Sequence, residues 1–291
     1  MLNFEDITLS GQDAYRALLE RSGVKASDYS FINLWGWAHE YGLSWAWEGD
    51  LVWIRQSTPA PCLWAPVGVW GDADWQGVLA NPAARELPFT RVPGEFLRAW
   101  EAALPGRVHA EEAREHWDYL YSATELLELK GNRFHKKKNL LTQFRKKYRY
   151  AYREIEPGLV PRVLSMQEDW CAWKDCESRQ TLATENRVIA RVLSAWGSLT
   201  GIRGGALFVE EKLAAFTVAE GGTSGMLIIH FEKGLPEYTG VYQAINQMHL
   251  EHAQGFTLVN REQDLGDEGL RSAKLSYNPA GFIEKYHVKV S

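Results

Sequence analysis

Long apolar runs are missing from this sequence. No stretch approaches the roughly 18 uninterrupted apolar residues of a membrane span. The opening decapeptide, MLNFEDITLS, is acidic and has no apolar run behind a basic start, so it does not read as a signal peptide. Cysteine is scarce. Cys62, Cys171 and Cys176 are an odd number at spacings that make no disulfide framework, and Cys171-x4-Cys176 is neither a zinc nor a redox spacing. These absences predict a cytoplasmic protein that at most touches a membrane face. There is no G-x-S-x-G, Walker A or kinase signature. His249 and His252 are three residues apart, but no Cys stands nearby and Glu251 points off their shared face, so no metal is expected there.

What is present is ordinary globular material: 291 residues, 45% hydrophobic and 24% charged, enough for two domains with real cores. Aromatics stand out, with 13 Trp, 12 Tyr and 11 Phe. Eight of the tryptophans fall between Trp35 and Trp75, which predicts either core packing or a cleft of flat surfaces in the first half. The net charge of −5 is unevenly spread. Between Lys130 and Arg153 stand ten Lys or Arg and no Asp or Glu, so the remainder of the chain carries −15.

The order of structural signals repeats. In the second half a strand at 149–156 precedes helices at 161–178 and 183–199. Val188, Ile189, Val192, Leu193 and Trp196 lie at helical spacing in the second of these. Strands follow at 202–210, 213–220 and 226–231, then a helix at 240–253, a strand at 256–259, a helix at 267–276 and a strand at 282–290. The first half reads as a strand at 4–8, helices at 12–22 and 29–41, strands at 43–47, 51–56 and 62–69, a helix at 74–80, a strand at 89–92, a helix at 94–103 and a strand at 107–111. Both halves thus give the element order of the GNAT acyltransferase fold. The predicted class is α/β with mixed sheets, a tandem duplication with halves at 1–148 and 149–291. The competing reading is one mixed domain without duplication. The linking helix from Asn132 to Tyr150, counted with the first half, has Phe134, Leu141, Phe144 and Tyr148 on one face; Lys137 interrupts that stripe.

Two motif blocks carry a family resemblance. One is Tyr119-Leu-Tyr with Glu128-Leu-Lys-Gly-Asn-Arg-Phe-His-Lys-Lys-Lys-Asn139 and Phe144. The other is Asn260-Arg-Glu-Gln-Asp-Leu-Gly266 with Leu270 to Pro279 and Lys285-Tyr286. From Asp28-Tyr-Ser-Phe-Ile-Asn-Leu-Trp35 onward the chain resembles the uncharacterised proteins that share the soluble C-terminal domain of bacterial phosphatidylglycerol lysyltransferases. The resemblance implies a tandem GNAT-like fold and kinship with enzymes that move an amino acid from a charged tRNA to a lipid headgroup. It also implies distant kinship with transferases that add amino acids to cell-wall peptides. The membrane-spanning module of the lipid-modifying enzymes has no counterpart in this sequence.

The leading candidate site is the block 261–274, a strand-to-helix turn of the kind where α/β folds present ligand-binding groups. Asp264 is expected to accept a proton from, or orient, the nucleophile. Arg261, Arg271 or Lys274 would hold an anion or the developing oxyanion. Glu232 offers a second carboxylate, and strand alternation puts His230 on its side. Tyr238, Tyr242, Asn246, Asn260 and Tyr277 are expected to line the substrate. The competing reading is a salt-bridge network pinning the last helix. Lys136, Lys138, Lys146, Lys147 and Arg149 are candidate contacts for tRNA phosphates or anionic headgroups, against a plain solvated helix face. The turn 236–242 has only Gly240 where an acetyl-CoA cradle wants several glycines. Acyl-CoA is therefore the alternative donor; the donor that the resemblance implies is aminoacyl-tRNA, with no cofactor required. The expected reaction is metal-independent aminoacyl transfer to a lipid or small amine or hydroxyl in a cleft between the halves. A non-catalytic binding protein on the same scaffold is the third reading.

Overall fold

A computed structural model describes residues 2–79 and 85–291. The chain forms two compact units: one of Met1–Tyr119, Gln263–Arg271 and Phe282–Ser291, the other of Leu120–Glu262 and Ser272–Gly281. Ala80, at the end of the helix expected at 74–80, lies outside the described residues.

Strands β1 (Glu5–Asp6), β2 (Ser44–Glu48), β3 (Leu51–Gln56), β4 (Cys62–Trp64), β5 (Val67–Gly68), β6 (Phe89–Pro93) and β7 (Val108–Glu112) are followed by β8 (Asp118–Ser122), β9 (Tyr150–Glu154), β10 (Ile202–Val209), β11 (Lys212–Gly221), β12 (Met226–Gly234), β13 (Leu258–Asn260), β14 (Gly281–Ile283) and β15 (Lys285–Val290). One sheet runs β1-β2-β3-β4-β6-β15-β7, with β5 also paired to β3; the other runs β14-β8-β13-β12-β11-β10-β9. Each sheet mixes antiparallel pairs with a parallel one, β4 with β6 and β12 with β13. The mixed α/β class read from the sequence holds.

The boundary at 148/149 does not. Strand β8, not foreseen from the sequence, joins the second sheet between β14 and β13, while β15 lies between β6 and β7 in the first. The single strand expected at 282–290 is broken at Glu284, and its two pieces serve different sheets. The helix His135–Lys147 also belongs with the second unit. Its Leu141 and Phe144, with Phe134 just before it, are buried against Val241, Ala244, Ile245 and Met248 of the helix Val241–His252. Gly240 sits under that contact with φ +83°, and a Cβ there would stand 2.2 Å from the carbonyl oxygen of Leu140. Both the left-handed backbone and the close approach require glycine.

Smaller departures have local causes. The helix expected at 29–41 becomes Phe31–Gly36 and Ala38–Tyr41, and the strand expected at 62–69 is interrupted at Ala65 and Pro66. Cys171 and Cys176, expected to remain thiols, are joined in a disulfide. The helix Val160–Lys174 ends at Asp175 in a left-handed conformation, φ 52°, which brings the two Cα atoms to 5.1 Å. The tryptophans of the first half are mainly core. Trp45, Trp53 and Trp100 are fully buried, and Trp75 and Phe89 meet Trp100 edge-to-face at 5.8 and 4.7 Å. No described helix is long and apolar enough to cross a membrane.

Candidate functional site

The segment that links β13 to the helix Glu268–Leu275 turns sharply. Glu262, Leu265 and Gly266 all have left-handed φ, at 58°, 51° and 78°. Two non-glycine residues in that region cost on the order of 1 kcal/mol or more each, and such strain collects at working sites. The Asn260 Oδ1 accepts from the Glu262 amide at 2.8 Å, which stabilises the first bend. Asn260 is fully buried there and serves the backbone, so it does not line a substrate as expected.

In the first unit, Asp264 is the centre of a saturated carboxylate. Its oxygens accept from Arg271 Nε at 2.8 Å and Nη2 at 2.9 Å, from the Tyr119 hydroxyl at 2.6 Å, from Arg114 Nη1 at 3.2 Å and from the Gly266 amide at 2.9 Å. Burial disfavours its charge, but these bonds outweigh burial and hold the carboxyl well below the usual range. A carboxylate has about four lone-pair sites. With five donors already present, Asp264 has no capacity to take a proton from a nucleophile. The expected general base is instead an anchor, and Arg271 is its principal partner, against the expectation that it would face substrate.

In the second unit a different cluster forms around Arg261. Its Nη2 donates to Glu232 Oε1 at 2.9 Å, and Glu232 Oε2 accepts from Asn246 Nδ2 at 3.3 Å. The guanidinium lies 4.9 Å from the centre of the Tyr277 ring, whose hydroxyl accepts from Gln243 Nε2 at 3.0 Å. Lys137, half-buried at the start of the basic helix, places Nζ 4.2 Å from the same ring centre. Burial, and then the charge of Arg261, lower the pKa of Lys137. This lysine was read from sequence only as a flaw in an apolar stripe; its position between Lys136 and Lys138 gave no sign that it reaches Tyr277. Burial works against the charge of Arg261, but Glu232 together with Tyr277 and Tyr121 outweighs it and raises its pKa.

Other expected members of the site fall elsewhere. Lys274 donates from Nζ to the Arg261 carbonyl at 2.7 Å and so supports the turn. His230 is buried between two carboxylates, with Nδ1 2.8 Å from Glu262 Oε1 and Nε2 3.1 Å from Glu220 Oε1. Burial opposes its charge, but the two hydrogen bonds win and push its pKa up to about 9. Both ring nitrogens therefore donate, and His230 is committed to the fold. The alternation that put it beside Glu232 fails because β12 carries one extra residue here: Val218 pairs with Phe231, while Ala219 pairs with Ile229. Tyr238 and Tyr242 pack on the core between the two helices, and the Tyr242 hydroxyl accepts from Trp170 Nε1 at 3.2 Å. Lys136, Lys138, Lys146, Lys147 and Arg149 are all exposed.

A buried cluster in the first unit was not singled out from sequence. Asp28 accepts from both Arg91 and Lys285, and Lys285 also donates to Asp118 Oδ1 at 2.6 Å. Burial penalises the Asp28 charge, but Lys285 and Arg91 hold its carboxyl well below the ordinary value. Asp28 and Lys285 stand in the segments that carried the family resemblance; the signal was present, but nothing in it told a buried ion pair from a binding residue.

The profile of the family "Phosphatidylglycerol lysyltransferase, C-terminal" matches residues 16–289. The chain belongs to that family. Among solved structures it is similar to a conserved protein of unknown function from Bacteroides thetaiotaomicron, with 30% identity, a TM-score of 0.91 and complete coverage of both chains. L-PGS from Bacillus licheniformis shares 13% identity at a TM-score of 0.65, over 96% of this chain and 91% of that one. An uncharacterised protein of Mycoplasmoides gallisepticum is 26% identical over 178 residues, 60% of this chain and 56% of its own length; the match thus spans little more than half of that relative. The chain shares the mixed α/β fold of those solved structures.

Proposed function

We propose that the chain transfers an aminoacyl group from aminoacyl-tRNA to the amine or hydroxyl of a small molecule or lipid headgroup, at the Arg261 cluster of the second unit. The observation that carries the reading is the sharing of the Tyr277 ring by Lys137 and Arg261. Two cations on one ring repel each other, and Glu232 neutralises only one of them. An anionic guest, or the oxyanion that forms when an ester carbonyl is attacked, relieves that repulsion. In such a step the acceptor forms a bond to the carbonyl carbon, the ester C–O bond breaks, and the acceptor's proton ends on the departing ribose oxygen. Lys137, whose pKa is lowered by burial and then by Arg261, is suited to relay that proton.

The basic helix supports tRNA as donor. Lys136, Lys137 and Lys138 occupy its first turn, where the helix dipole disfavours cations. They do not help the helix form, which argues that they serve an anionic partner. Acyl-CoA is the weaker donor: the backbone of Leu140 already stands against Gly240, the single glycine of the turn that would cradle a pyrophosphate. The non-catalytic reading draws on the saturation of Asp264, which leaves that carboxylate no chemical task.

The test is a single-turnover assay with radiolabelled aminoacyl-tRNA and a panel of amine and lipid acceptors. Transfer that falls at least tenfold in Lys137→Met and in Glu232→Gln supports the reading. Full transfer by both variants, or transfer only from acyl-CoA, overturns it.

A further inference from the structure

We propose that Glu115, His116 and His287 of the first unit form a binding site for a divalent transition metal, with Zn2+ the best match. Three side chains of strong ligand types converge with their ligating atoms within 4.8 Å of one another. Glu115 Oε1 is 3.9 Å from His116 Nε2 and 3.7 Å from His287 Nε2. Both separations are too long for hydrogen bonds. They lie just above the roughly 3.4 Å between two ligands of one tetrahedral zinc with bonds near 2.1 Å. A small inward movement of these part-buried side chains closes the difference.

The surroundings suit a ligand set. Thr90 Oγ1 lies 3.0 Å from His287 Nδ1, the partner that orients a ligating imidazole and leaves Nε2 free for the metal. His287 stands on β15, where it pairs with Glu111 of β7. The backbone of Glu115 is held, because its carbonyl accepts from the Leu265 amide at 3.0 Å. Lys285, two residues before His287 on β15, is already matched by Asp28 and Asp118. Two imidazoles and one carboxylate select zinc-like ions over calcium or magnesium. Glu115 and His287 each keep 43% of their side-chain surface, which leaves a route in and a fourth position for water or a ligand.

The consequence reaches Asp264. Arg114, adjacent to Glu115, donates to Asp264, so an ion that ties the 114–116 turn to β15 also fixes that donor. This inference does not depend on the proposed transfer reaction.

The experiment is a calorimetric titration of the chelator-stripped chain with ZnCl2, paired with the visible spectrum of the Co2+ form. The expected result is one ion per chain and tetrahedral Co2+ bands. Affinity should fall at least tenfold in His287→Ala and in Glu115→Gln, and by a smaller factor in Thr90→Val. Far-UV circular dichroism checks that each variant is folded, and the unmodified chain's Co2+ spectrum stands whatever the variants do. No stoichiometric binding, octahedral Co2+ bands, or unchanged affinity in a folded His287→Ala variant would sink the proposal.

Discussion

Arg271 grips Asp264 with two parallel hydrogen bonds, Nε to Oδ2 at 2.8 Å and Nη2 to Oδ1 at 2.9 Å. The pairing is the side-on fork geometry, through Nε and Nη2, that makes arginine–carboxylate contacts specific. It joins the turn after β13 to the helix Glu268–Leu275 and explains why this turn tolerates two non-glycine residues at positive φ.

Removing the carboxylate should therefore cost stability before it costs chemistry. Asp264→Asn deprives Arg114 and Arg271 of their negative partner, replaces one acceptor oxygen with a donor, and is expected to lower unfolding free energy by about 2–4 kcal/mol. Urea denaturation followed by tryptophan fluorescence reads this directly. Because the folded pKa of Asp264 lies below its unfolded value, the stabilisation is complete above that unfolded value and fades as acid drives the pH down through the folded one. An unchanged urea midpoint in the variant would remove the anchor role.

His230 predicts the opposite pH trend. Its pKa is raised to about 9 in the fold. Its contribution is full below the ordinary histidine value near 6.5 and disappears as pH rises through about 9. The amount at stake is on the order of 3 kcal/mol. Thermal melts from pH 6 to pH 10 should show this alkaline decline, and His230→Gln should flatten it. A decline of equal size in the variant assigns the effect to other groups.

Charge reversal on the basic helix separates an RNA interface from a bare solvated face. Lys136→Glu, Lys138→Glu, Lys146→Glu and Lys147→Glu combined should weaken tRNA binding severalfold or more. The salt dependence should become shallower, by about 0.7–0.9 in the log–log slope for each phosphate that a replaced lysine had neutralised. Filter binding at graded KCl supplies both numbers. Equal slopes for the parent and the quadruple variant mean that these lysines touch no phosphate.

Gly240→Ala tests the packing of that helix. The substitution meets both a positive φ and the Leu140 carbonyl, so a loss of about 2 kcal/mol or more is expected. Hydrogen exchange should rise across 135–147 more than across β10 and β11. Protection unchanged in the basic helix would show that the close approach carries little energy.

Much of the second unit could be read before the structure. Val188, Ile189, Val192 and Leu193 fall at helical spacing and are all buried, because that helix has a strong apolar face. The three long antiparallel strands were legible from their turns. What escaped was pairing. Arg261 and Glu232 stood in the right neighbourhood, yet charge spacing alone gave Arg261 no partner and offered Arg271 to a substrate. The bulge at His230 was invisible because alternation assumes that no residue is added. Cys171 and Cys176 were misjudged because their spacing gave no sign that Asp175 adopts a left-handed conformation and turns the chain back between them. The exchange of β8 and β15 between sheets is a long-range pairing with no local mark at all.

That exchange has a bearing on synthesis. Lys285 is 167 residues beyond Asp118, its salt-bridge partner. While the ribosome is still making that interval, β6 and β7 have an empty lane between them, and Asp28 and Asp118 lack the lysine they share. The early part of the nascent chain must wait, with an open sheet edge exposed, whereas most of the second unit can already condense. A cell producing this protein thus matures its first-made residues last.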